Sequence, residues 1–325
     1  MSWEKSCTFK NKLLTEKSRT NGIKTKMKGK KTMERIKALR EKTGVGLMEC
    51  KKTLEAFNND LDKSIEYLNR KGISRAAKKS GRVASDGIVH GHVSEDGKIG
   101  ALIEVNCETD FVAKNSNFKQ FVGSILTLII ENNPLNEEEL LSLLMKDGRT
   151  VKEHLTTLIT TFGENILIRR FERFQAKEEG VVSFYIHNDY LTEGKVGVML
   201  QTSVKYPETL LNPKFNDFVK NMLMHITALK PKFLDRGQVP NQFLVGQYEQ
   251  FLSDPENEGK PVELIERIAN NRLEKFIKDS CLLHQNYLKE TNKTIEQLIA
   301  DVNSALGQEE IRIEKFSCFV KGEIE

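Results

Sequence analysis

The chain has 325 residues, which is long enough for two or three domains with a buried core. Apolar residues make up 38% and charged residues 30% of it, and no run of apolar residues approaches the 18 that a membrane-spanning helix needs. The sequence contains no P-loop, no G-x-G-x-x-G loop and no G-x-S-x-G elbow, and nothing in it suggests a catalytic triad.

The net charge of +4 is spread unevenly along the chain. Residues 1–32 hold ten Lys or Arg and two acids, so the remaining 293 residues carry 40 bases and 44 acids. A mildly acidic body argues against a dedicated nucleic-acid surface. The basic, apolar-poor arm is predicted to be disordered and to target the protein to a mitochondrial or plastid-type matrix. A nucleic-acid tether or an inert extension, with a bacterial cytoplasmic location, is the alternative.

The five cysteines, at positions 7, 50, 107, 281 and 318, form no C-x-x-C pair and are odd in number. This pattern predicts a reducing compartment without a disulfide framework. His90 and His92 would share one face of a strand, but no third ligand lies near them in sequence. We therefore predict neither a metal site nor a cofactor.

Apolar spacing predicts three short helices over residues 33–42, 47–57 and 61–71. Gly72 is expected to end the third helix, and residues 75–82 to form a basic linker. A three-helix domain of about 40 residues, 33–82 with its linker, is too small for a deep cleft and is typical of a binding module.

The second of these helices carries more apolar residues than one buried stripe can hold. Leu54 and Phe57, with residues of the third helix, already suffice for a small core. Val45 and Met48, next to Lys51, are therefore predicted to form an exposed apolar patch.

An internal repeat follows at an offset of 97 residues. Gly97–Ile103 recurs as Gly194–Leu200, and residues 97–122 share seven identities with their counterparts without a gap. Each copy is predicted to run strand, turn, strand, helix, which gives an α+β fold with two related core subdomains, 83–174 and 175–325.

The corner between strand and helix differs most between the copies. The first copy has Cys107–Asn115 where the second has Val204–Thr209. Phe111 is either a core aromatic that staples the helix start or, with Asp110, a protruding wedge.

The segments Arg40–Leu54 and Glu108–Ala113 resemble the elongation factor Ts family, the guanine-nucleotide exchange factors for elongation factor Tu. Three further blocks fit the same family: Gly163–Arg170, Tyr185–His187 and Gly194–Val198. The resemblance runs from about Met33 to about Gly322.

The resemblance implies that the three-helix domain is similar to ubiquitin-associated domains and docks on the nucleotide domain of Tu. The predicted patch of Val45 and Met48, flanked by Lys51, would then be the surface that contacts Tu. The resemblance further implies that the corner, Thr109, Asp110, Phe111 and Val112, displaces magnesium from Tu. Asp110 and Phe111 would be the intruding pair. Phe162 and His187 would be further Tu contacts.

The resemblance also implies promotion of GDP release without covalent chemistry. Apolar spacing over about 238–278 predicts an inserted helical hairpin, which either resembles the family's antiparallel coiled-coil element or is plain core packing. Alternation over residues 311–320 predicts a closing strand. The resemblance leaves open an assembly of two chains with two Tu molecules. No membrane and no specific nucleic acid are expected as partners. The residues alone leave two other classes open: a ubiquitin-associated-type or nucleic-acid adaptor without exchange activity, and a cysteine enzyme built on Cys50 or Cys107.

Overall fold

A computed structural model describes residues 32–188, 194–254, 259–307 and 310–323. They form two compact units, one comprising the described residues up to Val83 together with Lys152–Ile166, the other comprising the rest. The predicted disordered arm lies outside the described residues apart from residue 32. No helix in the described part of the chain has the length and apolar character that crossing a membrane requires.

Helices α1–α11 of the described residues span, in chain order, 32–43, Leu47–Ala56, Leu61–Ala77, Asp110–Ala113, Ser116–Asn132, Glu137–Ser142, Val151–Phe162, Pro213–Leu229, Asn241–Leu252, Val262–Ser280 and Ile295–Ala305. Strands β1–β8 span Asp86–Val93, Ile99–Cys107, Ile166–Gln175, Gly180–His187, Val196–Ser203, Asn286–Tyr287, Glu290–Thr294 and Arg312–Val320. The strands form two three-stranded sheets, ordered β1-β2-β3 and β4-β5-β8, and the small pair β6-β7.

The first unit buries a cluster that is built from all three N-terminal helices: Ile36, Leu39, Val45, Cys50, Leu54 and Leu68. Helix α7, which the predicted boundaries place in the first core subdomain, belongs to this unit. The predicted end of α3 at Gly72 is wrong, because the helix continues to Ala77. A Cβ at Gly72 would lie 3.2 Å from Thr160 Oγ1 of α7, so this glycine serves close helix packing instead of ending the helix.

The second unit contains the predicted duplication, and the two copies match closely. Helices α5 and α8 both have 17 residues and begin 97 positions apart. Each is capped at its N-terminus by an asparagine, Asn115 or Asn212, whose side chain accepts a hydrogen bond from the amide two residues on. Each ends in a left-handed residue, Asn133 or Lys230. The predicted α+β class with two related core subdomains is confirmed.

The shared glycines of the repeat lie where the two copies pack on each other. The Gly97 carbonyl accepts a hydrogen bond from Val182 N at 2.8 Å, and the Gly194 carbonyl accepts one from Val89 N at 2.9 Å. A Cβ at Gly197 would lie 2.4 Å from Val89 Cγ1. In the same way, a Cβ at Gly100 would lie 2.4 Å from Val182 Cγ1. The contacts are reciprocal, so the same glycine pattern is needed in both copies.

We expect Gly197→Ala to lower the free energy of unfolding by about 1–3 kcal/mol, because the added methyl overpacks the contact with Val89. Urea denaturation measures the change. Gly123→Ala is the control: Gly123 lies inside α5 with no atom within 4 Å of an added Cβ, so it should be neutral or stabilising. Equal effects for the two variants would contradict the interpretation.

The predicted helical hairpin is present as α9 and α10. The rings of Phe243 and Phe276 lie 5.4 Å apart, and Arg272 pairs with Asp254 while its guanidinium lies 5.8 Å from the Phe251 ring centroid. These pairings run in opposite directions along the two helices, so the hairpin is antiparallel. The predicted closing strand is also confirmed, since β8 pairs antiparallel with β5.

Candidate partner-binding surfaces

At the corner of the first copy, one of two neighbouring apolar side chains is buried and the other is exposed. Strand β2 ends at Cys107, and α4 begins at Asp110. Val112 of this single helical turn is buried, whereas the Phe111 side chain is 82% exposed. The interpretation of Phe111 as a core aromatic is therefore wrong. Val112 anchors the corner and lets Phe111 project into solvent.

The carboxylate of Asp110, next to Phe111, forms an ion pair with a lysine one helical turn away. Asp110 Oδ2 lies 2.7 Å from Lys114 Nζ. The hydrogen bond from the Lys114 side chain lowers the pKa of the Asp110 carboxyl below its usual value, so Asp110 is ionised at neutral pH. Sequence reasoning missed Lys114, although its i, i+4 spacing from Asp110 indicates such a pair. Thr109 precedes the turn, and its carbonyl accepts a hydrogen bond from Cys107 Sγ at 3.1 Å.

The equivalent corner of the second copy has a different construction. A 3-10 turn, Pro207–Leu211, connects β5 to α8 there. Thr209 is buried, whereas Leu211 is 83% exposed and Tyr206 is 47% exposed. The residue directly before Tyr206 is Lys205, whose ammonium lies 5.3 Å from the Tyr206 ring centroid. Of the two corners, the first therefore places a carboxylate directly before an aromatic residue and the second places a cation there.

His187 is the last residue of β4, and its side chain is half-buried. His187 Nδ1 lies 3.3 Å from the Tyr185 hydroxyl. His187 also borders a cavity of about 430 Å³ whose wall includes Lys195, Met224 and Tyr287. The mixture of apolar and cationic side chains suits a protein or anionic surface.

Phe162 closes α7 in the first unit and is half-buried. Gly163 follows with a φ of +76°, which turns the chain sharply after the helix. The Asn165 side chain then donates a hydrogen bond to the Arg82 carbonyl at 2.8 Å. The end of α7 is thus fixed to the segment that follows α3.

The predicted patch of Val45 and Met48 is wrong in one of its two members. Val45 is only 4% exposed, because Gly44, at a φ of +66°, turns the loop so that Val45 enters the core cluster. Thr161 Oγ1 of α7 donates a hydrogen bond to the Gly44 carbonyl at 3.0 Å. Met48 is exposed at 63% and Leu47 is partly exposed, so these two form the apolar surface of α2.

Lys51 extends this surface by one turn of α2. Its ammonium lies 4.0 Å from the Glu55 carboxylate, and both side chains are at least half exposed. Such an exposed i, i+4 pair is weak and screened by salt, so Lys51 can exchange its partner at little cost.

Comparison with known proteins decides the family of this chain. The model of the family described as elongation factor TS matches residues 108–323. An elongation factor Ts of Clostridium perfringens, strain SM101, is 40% identical over 292 residues, which cover 90% of this chain and 93% of that protein. One of Clostridium novyi is 38% identical over 294 residues, with the same coverage. This chain belongs to the elongation factor Ts family.

The relatives are bacterial. This is consistent with the bacterial cytoplasm, which the sequence analysis gave as its alternative location. The relatives give no support to the mitochondrial or plastid-type matrix. That prediction depended on the basic arm, which lies almost wholly outside the described residues.

An elongation factor Ts is a translation elongation factor that exchanges nucleotide and carries out no covalent chemistry of its own. The environment of the cysteines fits this assignment. Cys50 and Cys107 are both buried, and burial raises the pKa of the Cys50 thiol. Burial also raises the pKa of Cys318 to about 11. Reactive thiols need a lowered pKa and solvent access, so the raised pKa of Cys50 and the burial of Cys107 both argue against a cysteine enzyme.

No group of three or more potential metal ligands occurs among the residues that the structure describes. His90 and His92 share the exposed face of β1, as their spacing predicts, and are its two exposed side chains.

Proposed function

We propose that this protein binds elongation factor Tu in its GDP form and speeds the release of GDP, so that GTP can bind in its place. The observation that carries the proposal is the exposed aromatic ring of Phe111 beside the ionised Asp110 at a corner anchored by Val112. The family membership supplies the partner.

The proposed mechanism is thermodynamic linkage. A GTPase holds GDP through phosphate contacts and Mg²⁺. A factor that binds the nucleotide-free form of Tu more tightly than the GDP form must weaken GDP binding by the same ratio. Thr109 begins the turn and Val112 holds it, while Asp110 and Phe111 enter the magnesium and phosphate site of Tu. This chain then needs no nucleophile.

The size of one contact indicates that several must cooperate. Burial of the Phe111 ring in a Tu pocket contributes roughly 1.5–3 kcal/mol, which changes affinity about ten- to a hundredfold. We propose that Met48 and Lys51 dock on the nucleotide domain of Tu and that Phe162 and His187 contribute further contacts. An assembly of two chains with two Tu molecules is part of this proposal.

Release of a fluorescent GDP from purified Tu tests the function directly. We expect the full chain to increase the rate of GDP release strongly. At equilibrium it should weaken GDP binding to Tu by the ratio of its own affinities for nucleotide-free Tu and for GDP-bound Tu. Binding to Tu without faster release would leave an adaptor without exchange activity. No binding to Tu, with strongly salt-dependent binding to nucleic acid, would favour the nucleic-acid adaptor.

A further inference from the structure

A fully buried carboxylate lies in the strand that leads to the corner. Glu104 of β2 is 0% exposed and accepts three hydrogen bonds. The donors are Arg170 Nε at 2.9 Å, Asn106 Nδ2 at 3.1 Å and the backbone amide of Gly322 at 2.7 Å. A buried charge tolerates little misplacement of its donors, so Glu104 fixes the position of the C-terminal backbone relative to β2.

The C-terminal residues make further contacts with the two outer strands of the first sheet, β3 and β1. Arg170 Nη2 donates to the Val320 carbonyl at 3.1 Å, and its guanidinium lies 4.4 Å from the Phe319 ring centroid. Lys321 Nζ lies 2.5 Å from Asp86 Oδ1. Asp86 begins β1 and pairs with Cys107, the last residue of β2. The corner leaves β2 directly after Cys107, at the strand end that pairs with Asp86.

The other side of the same segment is bonded to the strand pair that carries His187. The Lys321 amide donates to the Lys195 carbonyl at 2.9 Å, and the Lys195 amide donates to the His187 carbonyl at 3.1 Å. Lys321 therefore bonds through its backbone to Lys195, which is in turn bonded to the end of β4, and through its side chain to the start of β1.

We propose that residues Phe319–Gly322 act as a strut that holds the Phe111 corner at a fixed position relative to His187, with Glu104 and Lys321 as positioning residues. The role in exchange rests on the proposed function. The strut contacts neither the Phe111 side chain nor Tu in this proposal. It limits the motion of the corner before Tu arrives, which lowers the ordering cost of insertion.

The test uses Lys321→Met and Glu104→Gln in the full chain. Lys293→Met is the control, because Lys293 also pairs with an aspartate, Asp301 at 2.7 Å, and with Glu290 at 3.2 Å, in a more exposed position in the small strand pair of the second copy. Amide hydrogen exchange over residues 108–114 of the free protein is the first readout. We expect both strut variants to raise it at least about fivefold, while the control leaves it unchanged.

Stimulated GDP release from Tu is the second readout. We expect the strut variants to lower the maximal release rate with little change in the half-saturating concentration, and to add no further loss in a Phe111→Ala background. A merely structural role would give additive losses instead. If Glu104→Gln fails to fold by circular dichroism, Lys321→Met decides.

If the folded Lys321→Met variant shows unchanged hydrogen exchange over residues 108–114, the proposed role of Phe319–Gly322 as a strut is wrong. This outcome does not depend on Tu. If the wild-type chain fails to speed GDP release, the proposed function fails, while the hydrogen exchange of the free protein still decides whether the strut holds the corner.

Discussion

Replacement of Phe111 by Ala, together with Asp110→Ala, is expected to reduce stimulated GDP release at least about tenfold and leave the fold intact. The loss corresponds to the roughly 1.5–3 kcal/mol that burial of the aromatic ring in Tu would contribute. Because 82% of the Phe111 side chain is already exposed, its removal takes away little packing within this chain. Fluorescent GDP release and thermal melting of the same variants measure the two quantities.

Leu211→Ala is the matched control for this prediction. Leu211 is exposed to the same degree, at 83%, and lies at the corresponding corner of the second copy without an adjacent carboxylate–aromatic pair. It should leave GDP release unchanged. Equal release rates for wild type and the Phe111 double variant would show that the corner is not the wedge. A melting temperature lowered by many degrees in the double variant would show that the Phe111 side chain contributes to the packing of the folded protein.

Met48→Asp is expected to weaken Tu binding at least about tenfold without loss of stability. The Met48 side chain is 63% exposed in the free protein, so a carboxylate there stays solvated. In the proposed complex the same carboxylate would be buried against Tu, where desolvation opposes binding and the apolar contact is lost. Titration calorimetry with Tu measures the affinity.

Val45→Asp provides the contrast that this experiment needs. Val45 is 4% exposed within the cluster of α1, α2 and α3, so an unpaired carboxylate there is expected to cost more stability than the about 2–7 kcal/mol of an unpaired buried amide or hydroxyl. Its effect on Tu binding would then report unfolding of the three-helix domain. If Met48→Asp binds Tu as tightly as the wild type, the docking role of α2 is wrong.

The amino-acid sequence by itself determined the duplicated core. Its two copies repeat the same glycines and the same helix caps, and these features act locally or in reciprocal pairs, so a pattern at an offset of 97 is visible without a structure. The helical hairpin and the closing strand could be predicted for the same reason, since apolar periodicity reports the buried face of one element at a time.

The tertiary structure alone decided which apolar residues are buried. Phe111, Val112, Val45 and Met48 are all apolar and lie in short segments, where periodicity does not distinguish an anchor from a projecting side chain. Gly72 carries the usual signal for a helix end, yet α3 continues to Ala77 and Gly72 lies where α7, distant in sequence, packs closely on it. The bonds from Glu104 to Arg170 and Gly322 likewise join residues far apart in the chain. Long-range packing sets these positions, and a single sequence records no pairing between distant residues.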